Sequence, residues 1–572
     1  MASHSYGCRK IVGGMAEGPA LVADTRISFW GGFDPVTGKI VEVGNPLEGE
    51  SLANKVVVFR STKGSSGSSR MLRLAKISNK SPVAFINLEL DELSVLSCVA
   101  QDLPLVTDLE CNPFEAIRTG DWVKVDADRG VVEVTPQAPR PPSEAPRQDP
   151  AWHAPAKTPG IRLTEEQQAV LDGAQGPLRA GYLRRLITWG EAFGAERLVP
   201  VESVMINGVS VPNRTLGDLP APLINGYVDY VKSCLSAPVC VPTCCQASQI
   251  DLDRAEQHDS DIQQVPAQRE MIDIAAKSGI TMTWTCAPYL IGNIPVKGQI
   301  CAWTESHAVI YINSILGARS TRNGNESAAA AAVTGWFPEF GVLRTENRHA
   351  RFLIRVETDL RTDTDWGCLG FFAGKRGGLR IPAFMGLRSP RLESARQLAA
   401  ALATSGGAPM FHIIGVTPEA PTQDAAFQGH EPEETCTFGP EELARVYEVL
   451  TNATGPEVDF VYFGCPHATL QEVVELAGLL RGKKIHPDVR LLISMGYAIE
   501  MQARRLGFAQ EIEKAGGVIM GDSCPTNTLW PHPKRMATPA IKTGYYAQNL
   551  LGCEAILATP ADCVRIAIEG RR

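Results

Sequence analysis

The chain has no apolar stretch long enough to span a bilayer, and its start, MASHSYGCRKIVGG, lacks the apolar centre of a secretion signal. No membrane role is expected, and the sequence reads as cytoplasmic. A Lys/Arg-rich run is also missing, and the formal net charge is −8 with a pI near 5.8. Both argue against nucleic acid as the main partner. The expected partner is a small molecule, and a monomer is the state expected. There is no repeat of fixed short period, and none of the fifteen cysteines stands at the C-x-x-C spacing of a local zinc knuckle. An odd cysteine count leaves a thiol unpaired in a monomer, which fits a reducing compartment.

At 572 residues the chain exceeds what one hydrophobic core usually organises, so two or more domains are expected. Residues 137–162 are dense in Pro and Ala and read as a semi-rigid linker. Before it, residues 56–59, 83–87, 122–125 and 131–134 are strand candidates and 71–76 a helix candidate, which makes 1–136 a small β-rich domain. After it, over 163–572, helical periodicity alternates with short apolar runs. Thr164 and Gln167 predict a capping box at a helix start. Strands are predicted over 411–416, 460–464 and 490–494, separated by helices over 439–450 and 470–480. The fold class expected is α/β, with parallel sheets in several layers.

Three cysteines stand in structured contexts: Thr285-Cys286-Ala287-Pro288, Gly464-Cys465-Pro466-His467 and Asp522-Ser523-Cys524-Pro525. Cys465 and Cys524 follow apolar strand candidates, the place where open α/β sheets build their sites. The residues alone leave three readings: buried thiols beside turns, a thiolate zinc site completed by a ligand such as His467, or a metal cluster assembled by the fold. Cys98, Cys553 and Cys563 sit in apolar surroundings and read as small buried hydrophobes, and Cys234, Cys240, Cys244, Cys245 and Cys368 as structural. Near the amino end, Lys63-Gly64-Ser65-Ser66-Gly67-Ser68-Ser69-Arg70 lies between a predicted strand and a predicted helix. Such a run is either a flexible turn or a nest of backbone donors at a helix start. The second arrangement favours negative charge and would stabilise a serine alkoxide acting as a base.

The run from Cys286 to Pro295, Trp303-Thr304-Glu305-Ser306-His307-Ala308, the run from Tyr311 to Arg319, and the Cys465 and Cys524 contexts together resemble the large catalytic part of the aconitase X family. Gly64 to Ser69, with Pro82-Val83-Ala84-Phe85 and Asp102-Leu103-Pro104-Leu105-Val106, resembles the small swivelling subunit of that family. The likeness covers nearly the whole chain outside the linker. It implies a swivelling domain over 1–136 and a catalytic region over 163–572 that carries an iron–sulfur cluster on Cys286, Cys465 and Cys524. The fused members imply [2Fe-2S], while [3Fe-4S], [4Fe-4S] and a mononuclear iron fit the same three thiols. Cys301 is an alternative ligand. Three thiolates leave one iron position open, which points to Lewis-acid work rather than electron transfer.

The resemblance also implies Ser65 as the base, with Lys63, Ser66 and Ser68 in support. It implies Gly208, Val209 and Ser210 as a carboxylate-binding loop and Lys542 as a partner for an anionic substrate group. Gln246 stands where relatives carry Asn, and Ala247 where they carry Pro, which implies a changed substrate pocket. Tyr289, Glu305, Asn313 and Arg319 fall in the densest match, with Glu305 and Arg319 read either as site residues or as a structural ion pair. A fused chain of this family, departing from the split forms at Gln246 and His307, is expected to be a hydro-lyase that dehydrates cis-3-hydroxy-L-proline to Δ1-pyrroline-2-carboxylate. The split forms imply mevalonate 5-phosphate as the alternative substrate. An alternative of another class is an iron-responsive regulatory or binding protein.

Overall fold

The computed structural model describes residues 3–139, 141–142, 160–206, 221–248, 250–258, 265–525 and 533–572. Most of the expected linker, and the candidate carboxylate loop Gly208, Val209 and Ser210, lie outside the described residues.

The N-terminal region builds one eight-stranded sheet in the order His4–Gly7, Val131–Thr135, Trp122–Asp126, Met15–Ile27, Val56–Thr62, Ala84–Asn87, Leu105–Thr107, Arg9–Val12. From Met15–Ile27 to Leu105–Thr107 the pairing is parallel. Parallel pairing needs crossovers, and helices Ser68–Ile77 and Glu92–Gln101 supply them. Strands covered on both faces read as unbroken apolar runs, and Val56, Val57, Val58 and Phe59 are all fully buried. The region is therefore itself α/β around a parallel centre, beyond the β-rich texture legible in the sequence.

Downstream, the capping box at Thr164 and Gln167 opens helix Glu165–Leu171 as expected. Three parallel sheets follow. The first is Thr243–Cys245, Ser203–Ile206, Cys301–Trp303. The second is His412–Ile413, Pro382–Met385, Phe352–Val356, Glu434–Phe438. The third is Val518–Gly521, Arg490–Met495, Phe460–Phe463, Arg535–Thr538, Glu554–Leu557. The strand expected over 411–416 is only His412–Ile413, because the Ile413 carbonyl accepts from the backbone of Val416 and Thr417 and turns the chain. One apolar core joins Phe29, Phe59 and Phe85 of the N-terminal sheet to Leu186, Ala329 and Phe340 of the large region. No helix among the described residues is long and apolar enough to cross a membrane.

Candidate active site

The site forms where carboxyl ends of strands from both regions meet, the position that open α/β sheets use for ligands. Strand Val56–Thr62 runs into the Gly-Ser loop and helix Ser68–Ile77 leaves it. Gly64 turns there at φ 84°, and an added Cβ would lie 2.6 Å from Ser28 Oγ, so a side chain would force the loop to shift. Ser68 donates to the Ser65 carbonyl from its backbone at 3.3 Å and its hydroxyl at 2.9 Å, and the Gly67 N–H donates to Ser65 Oγ at 3.4 Å. The loop is pinned on both sides of Lys63. Thr62 N–H donates to Asp91 Oδ2 at 2.8 Å, and the buried Arg322 donates to the Gly64 carbonyl.

In the large region, Phe460–Phe463 ends at Gly464 and Cys465, while Val518–Gly521 leads to Cys524. Gly464 has φ 96°, and a Cβ there would run into the Ser494 carbonyl, so the turn that presents Cys465 requires glycine. Helix Leu392–Ser405 fixes this turn: Gln397 Nε2 donates to the Cys465 carbonyl at 3.1 Å and the buried Arg396 donates to the His467 carbonyl. Thr243–Cys245 delivers Gln246, Cys301–Trp303 delivers Glu305, and Arg535–Thr538 leads to helix Ile541–Tyr546, which carries Lys542. Cys286 follows no named strand; its segment is tied to the sheet by an isolated bridge between Cys244 and Thr281.

These ends enclose a cavity of about 60 Å³ whose lining includes Trp30, Ser65, Gly67, Arg70, Gln246, Cys286, Glu305, Cys465, His467, Cys524, Lys542 and Tyr546. At roughly 10–15 Å³ for each enclosed water, it has room for a few waters. Arg70 stacks over Trp30 at 5.3 Å, packing the wall beside Gly67. Lys542 Nζ lies 2.7 Å from Glu305 Oε1, His307 Nδ1 lies 3.0 Å from the same oxygen, and Gln246 Nε2 donates to Glu305 Oε2. Burial alone would raise the Glu305 carboxyl, but Lys542 and His307 outweigh it and hold the group ionised well below the usual carboxylate range. Burial would likewise lower Lys542, and Glu305 reverses that and keeps it charged. Burial pushes His307 and His467 down to about 4, so both are neutral at pH 7.

The donor set suits a metal group. Burial, reinforced by Glu305, pushes the Cys286 thiol up, and burial raises Cys465 too, so a bound cation is what would favour their thiolates. His467 N–H donates to Cys286 Sγ at 3.3 Å, a contact that orients the sulfur. The His467 ring donates from Nε2 to the Ser523 carbonyl at 3.1 Å, which leaves Nδ1 buried without a hydrogen bond among the described residues, as is Gln246 Oε1. Two unpartnered acceptors in the walls of one cavity call for a bound group to engage them. Among the described residues no three His, Cys, Asp or Glu side chains form a group around a single ion position.

Of the residues singled out in the sequence, the structure brings Ser65, Cys286, Cys465, Cys524, Gln246, Glu305 and Lys542 to this cavity. Ser66 lies beside it, its hydroxyl donating to the Thr304 carbonyl at 2.5 Å. Ala247 and His467 line it too, whereas several others stand elsewhere. Lys63 pairs with Glu42 at 2.6 Å and lines a different cavity. Cys301 is buried in its strand and is not part of the lining. Tyr289 stacks on Tyr311 with ring centroids 4.2 Å apart, away from the lining. Asn313 is spent on the Ser320 and Pro409 carbonyls at 2.8 and 2.9 Å. The ion pair considered for Glu305 and Arg319 does not form: Arg319 bridges backbone with Ile300 before strand Cys301–Trp303, Glu305 follows that strand, and the guanidinium donates to Leu343 and Thr345. Sequence reasoning missed Trp30, Arg70 and Tyr546 in the lining: Trp30 and Tyr546 carry no motif, and Arg70 closes the Gly-Ser run without a signal of its own.

Family models match nearly all of the chain outside the linker. The aconitase X swivel domain matches residues 5–134, the first domain 160–346, the second 350–448 and the third 458–569. The cis-3-hydroxy-L-proline dehydratase of Pseudomonas aeruginosa is 32% identical over 100% of this chain and 97% of its own length. The phosphomevalonate dehydratase large subunit of Methanocaldococcus jannaschii is 32% identical, but over 69% of this chain and 97% of its own. The crystal structure of Thermococcus kodakaraensis aconitase X in its holo-form superposes with a TM-score of 0.62 at 31% identity, covering 71% of this chain and all of that one. With a swivel domain and three catalytic domains in one polypeptide, and a full-length relative at this identity, the chain belongs to the aconitase X family.

Proposed function

We propose that this protein is a hydro-lyase that removes water from cis-3-hydroxy-L-proline, giving Δ1-pyrroline-2-carboxylate after the enamine tautomerises. The observation that carries the reading is the convergence on one cavity of Ser65, from the N-terminal region, and Cys286, Cys465 and Cys524, from the large region. The full-length likeness to a cis-3-hydroxy-L-proline dehydratase supports the substrate.

Cys286, Cys465 and Cys524 would hold an iron–sulfur cluster, read as [2Fe-2S] from the resemblance to fused members. When bound, the cluster supplies Lewis acidity toward the leaving hydroxyl. The rest falls to the chain's own residues. Ser65 Oγ, as an alkoxide supported by the Gly67 N–H and the start of helix Ser68–Ile77, takes the proton from the ring α-carbon. The electron pair of that C–H bond forms the double bond to the β-carbon, whose C–O bond breaks. The departing oxygen takes up the proton that Ser65 removed and leaves as water, which restores the serine alkoxide. Arg70, in the lining beside Trp30, is the guanidinium proposed to meet the substrate carboxylate. The Glu305–Lys542 pair, ionised and largely buried, fixes Gln246 Nε2, so that its unpartnered Oε1 remains for the ring nitrogen. Lys542, expected to face a substrate anion directly, acts here through Glu305.

The test is to incubate anaerobically purified protein with each hydroxyproline isomer and with mevalonate 5-phosphate. Loss of water from cis-3-hydroxy-L-proline, and none from 4-hydroxyproline, whose hydroxyl is one carbon too far for elimination against the α-proton, is the expected result. Turnover of mevalonate 5-phosphate alone would overturn the substrate and keep the reaction class.

A further inference from the structure

A second, larger cavity of about 380 Å³ lies behind the serine loop, at the junction of the N-terminal region and the large region. It is far roomier than the catalytic cavity, within the range typical of small-molecule sites. Phe193, Phe340, Leu93, Val342 and Ile381 give it mainly apolar walls. Asp91, His349, Arg351 and Arg380 also line it, but Asp91 is bound to Thr62 and Ser94, His349 to the Glu346 carbonyl, Arg351 to Glu433 and Arg380 to Glu434. That leaves two opposite charges side by side, Glu92 and Arg322, the latter only 5% exposed.

Neither charge is used up. Glu92 Oε2 accepts the Arg322 backbone N–H at 2.9 Å, and its Oε1 has no hydrogen bond among the described residues. The Arg322 side chain makes one hydrogen bond among the described residues, from Nη2 to the Gly64 carbonyl, and its Nε is buried without a partner. A buried guanidinium edge left unmatched is costly, and so is a carboxyl in apolar surroundings. The ligand that answers both carries a carboxylate and an ammonium a short distance apart, on an apolar body.

We propose that this cavity is a second ligand site, for a free α-amino acid with a large apolar side chain. Its carboxylate meets Arg322, its ammonium meets Glu92, and its side chain packs between Phe340 and Val342. Occupancy reaches the serine loop directly. Arg322 holds the Gly64 carbonyl, and Asp91, also in the cavity wall, holds the Thr62 N–H at 2.8 Å. The burial of Glu92, which raises its carboxyl to about 7, agrees with a group awaiting a cation.

The test is calorimetric titration of the full chain with L-phenylalanine, 3-phenylpropanoate, which lacks the amine, and 2-phenylethylamine, which lacks the carboxylate. Saturable binding of L-phenylalanine is expected, weaker by about tenfold or more for each analogue, as the loss of one charge-assisted contact requires. Glu92→Gln should weaken L-phenylalanine to a similar degree, and Gln246→Asn, in the catalytic cavity, should leave its affinity unchanged. No saturable heat with L-phenylalanine at millimolar concentration, or equal affinity in Glu92→Gln, would overturn the site. A loss in Gln246→Asn would place the ligand in the catalytic cavity and overturn it too. Hydrogen exchange over residues 63–70 should slow with L-phenylalanine bound. Unchanged exchange there with binding intact would refute the link to the serine loop. None of these readouts needs turnover, so they stand apart from the substrate assignment.

Discussion

Lys542 Nζ and Glu305 Oε1 stand 2.7 Å apart although 237 residues separate them in sequence, and this pair sets the charge of the catalytic cavity. Glu305 is buried, Lys542 is largely so, and each keeps the other ionised. Removing one partner leaves an uncompensated charge, which typically costs about 3–5 kcal/mol. Lys542→Met should therefore lower the urea midpoint markedly, and Lys542→Met with Glu305→Gln should recover much of the loss, because the stranded carboxylate is gone. A single variant as stable as the parent would show that the pair is solvated.

The proposed cluster ligands make a second prediction. Cys286→Ser, Cys465→Ser and Cys524→Ser should each lose iron, acid-labile sulfide and visible absorption together with dehydration. Cys301→Ser should retain all of them, since Cys301 is packed in its strand and does not reach the cavity. Iron at full occupancy in any of the first three would remove that residue from the ligand set.

Ser65→Ala and Gly64→Ala separate the base from its frame. The first deletes the proposed alkoxide and should keep the iron while lowering kcat by on the order of 10²–10⁴, with loss of solvent-deuterium exchange at the substrate α-carbon. The second keeps the hydroxyl but drives a Cβ toward Ser28 at φ 84°. It should lower kcat as well, through a displaced loop, and should show faster hydrogen exchange over residues 63–70 than Ser65→Ala. Normal turnover in Ser65→Ala would reduce Ser65 to a loop residue.

The acidic pair behind the loop gives stability a pH dependence. Burial raises Glu92 to about 7 and Asp91 to about 6. Between the unfolded carboxylate range and these values the folded chain binds more protons than the unfolded one. Their contribution is thus full below the unfolded pKa and is lost as pH rises toward 7. For Glu92 the loss is at most on the order of 3 kcal/mol, since each tenfold change in proton affinity is worth about 1.4 kcal/mol. Comparing urea midpoints at about pH 5 and about pH 8, wild type should fall relative to Glu92→Gln as pH rises. A constant difference would mean that Glu92 titrates normally.

How much of this was legible follows from what each residue's signal depends on. The apolar run Val56 to Phe59 and the runs before Cys465 and Cys524 could be read because burial on both faces leaves no polar alternation, and strand ends then mark the site. Residues without local signal could not. Nothing near Lys542 announces Glu305, and Lys63, beside the serine loop in sequence, turns away to Glu42. Arg319 looked like a partner for Glu305 because they are close in sequence, but a strand holds them at opposite ends. Arg322 was invisible for the same reason: its role is a hydrogen bond to a carbonyl 258 residues away.

Gln246 offers a test of how the pocket reads its substrate. Its Nε2 is bound by Glu305, while Oε1 is buried, unpartnered and part of the cavity lining, so one end is anchored and the other is free for a ligand. Gln246→Asn shortens the side chain by one methylene and cannot serve both ends at once. If it keeps Glu305, the acceptor withdraws from the substrate; if it reaches the substrate, Glu305 loses a donor. Sites that hydrogen-bond a substrate group discriminate strongly when that contact fails. Gln246→Asn should therefore raise KM and lower kcat/KM for cis-3-hydroxy-L-proline by about tenfold or more, with iron content and urea midpoint close to wild type. Steady-state kinetics beside iron analysis decides it. Unchanged kcat/KM would show that the substrate does not touch Gln246, and equal losses of iron and activity would assign the residue to the metal site instead.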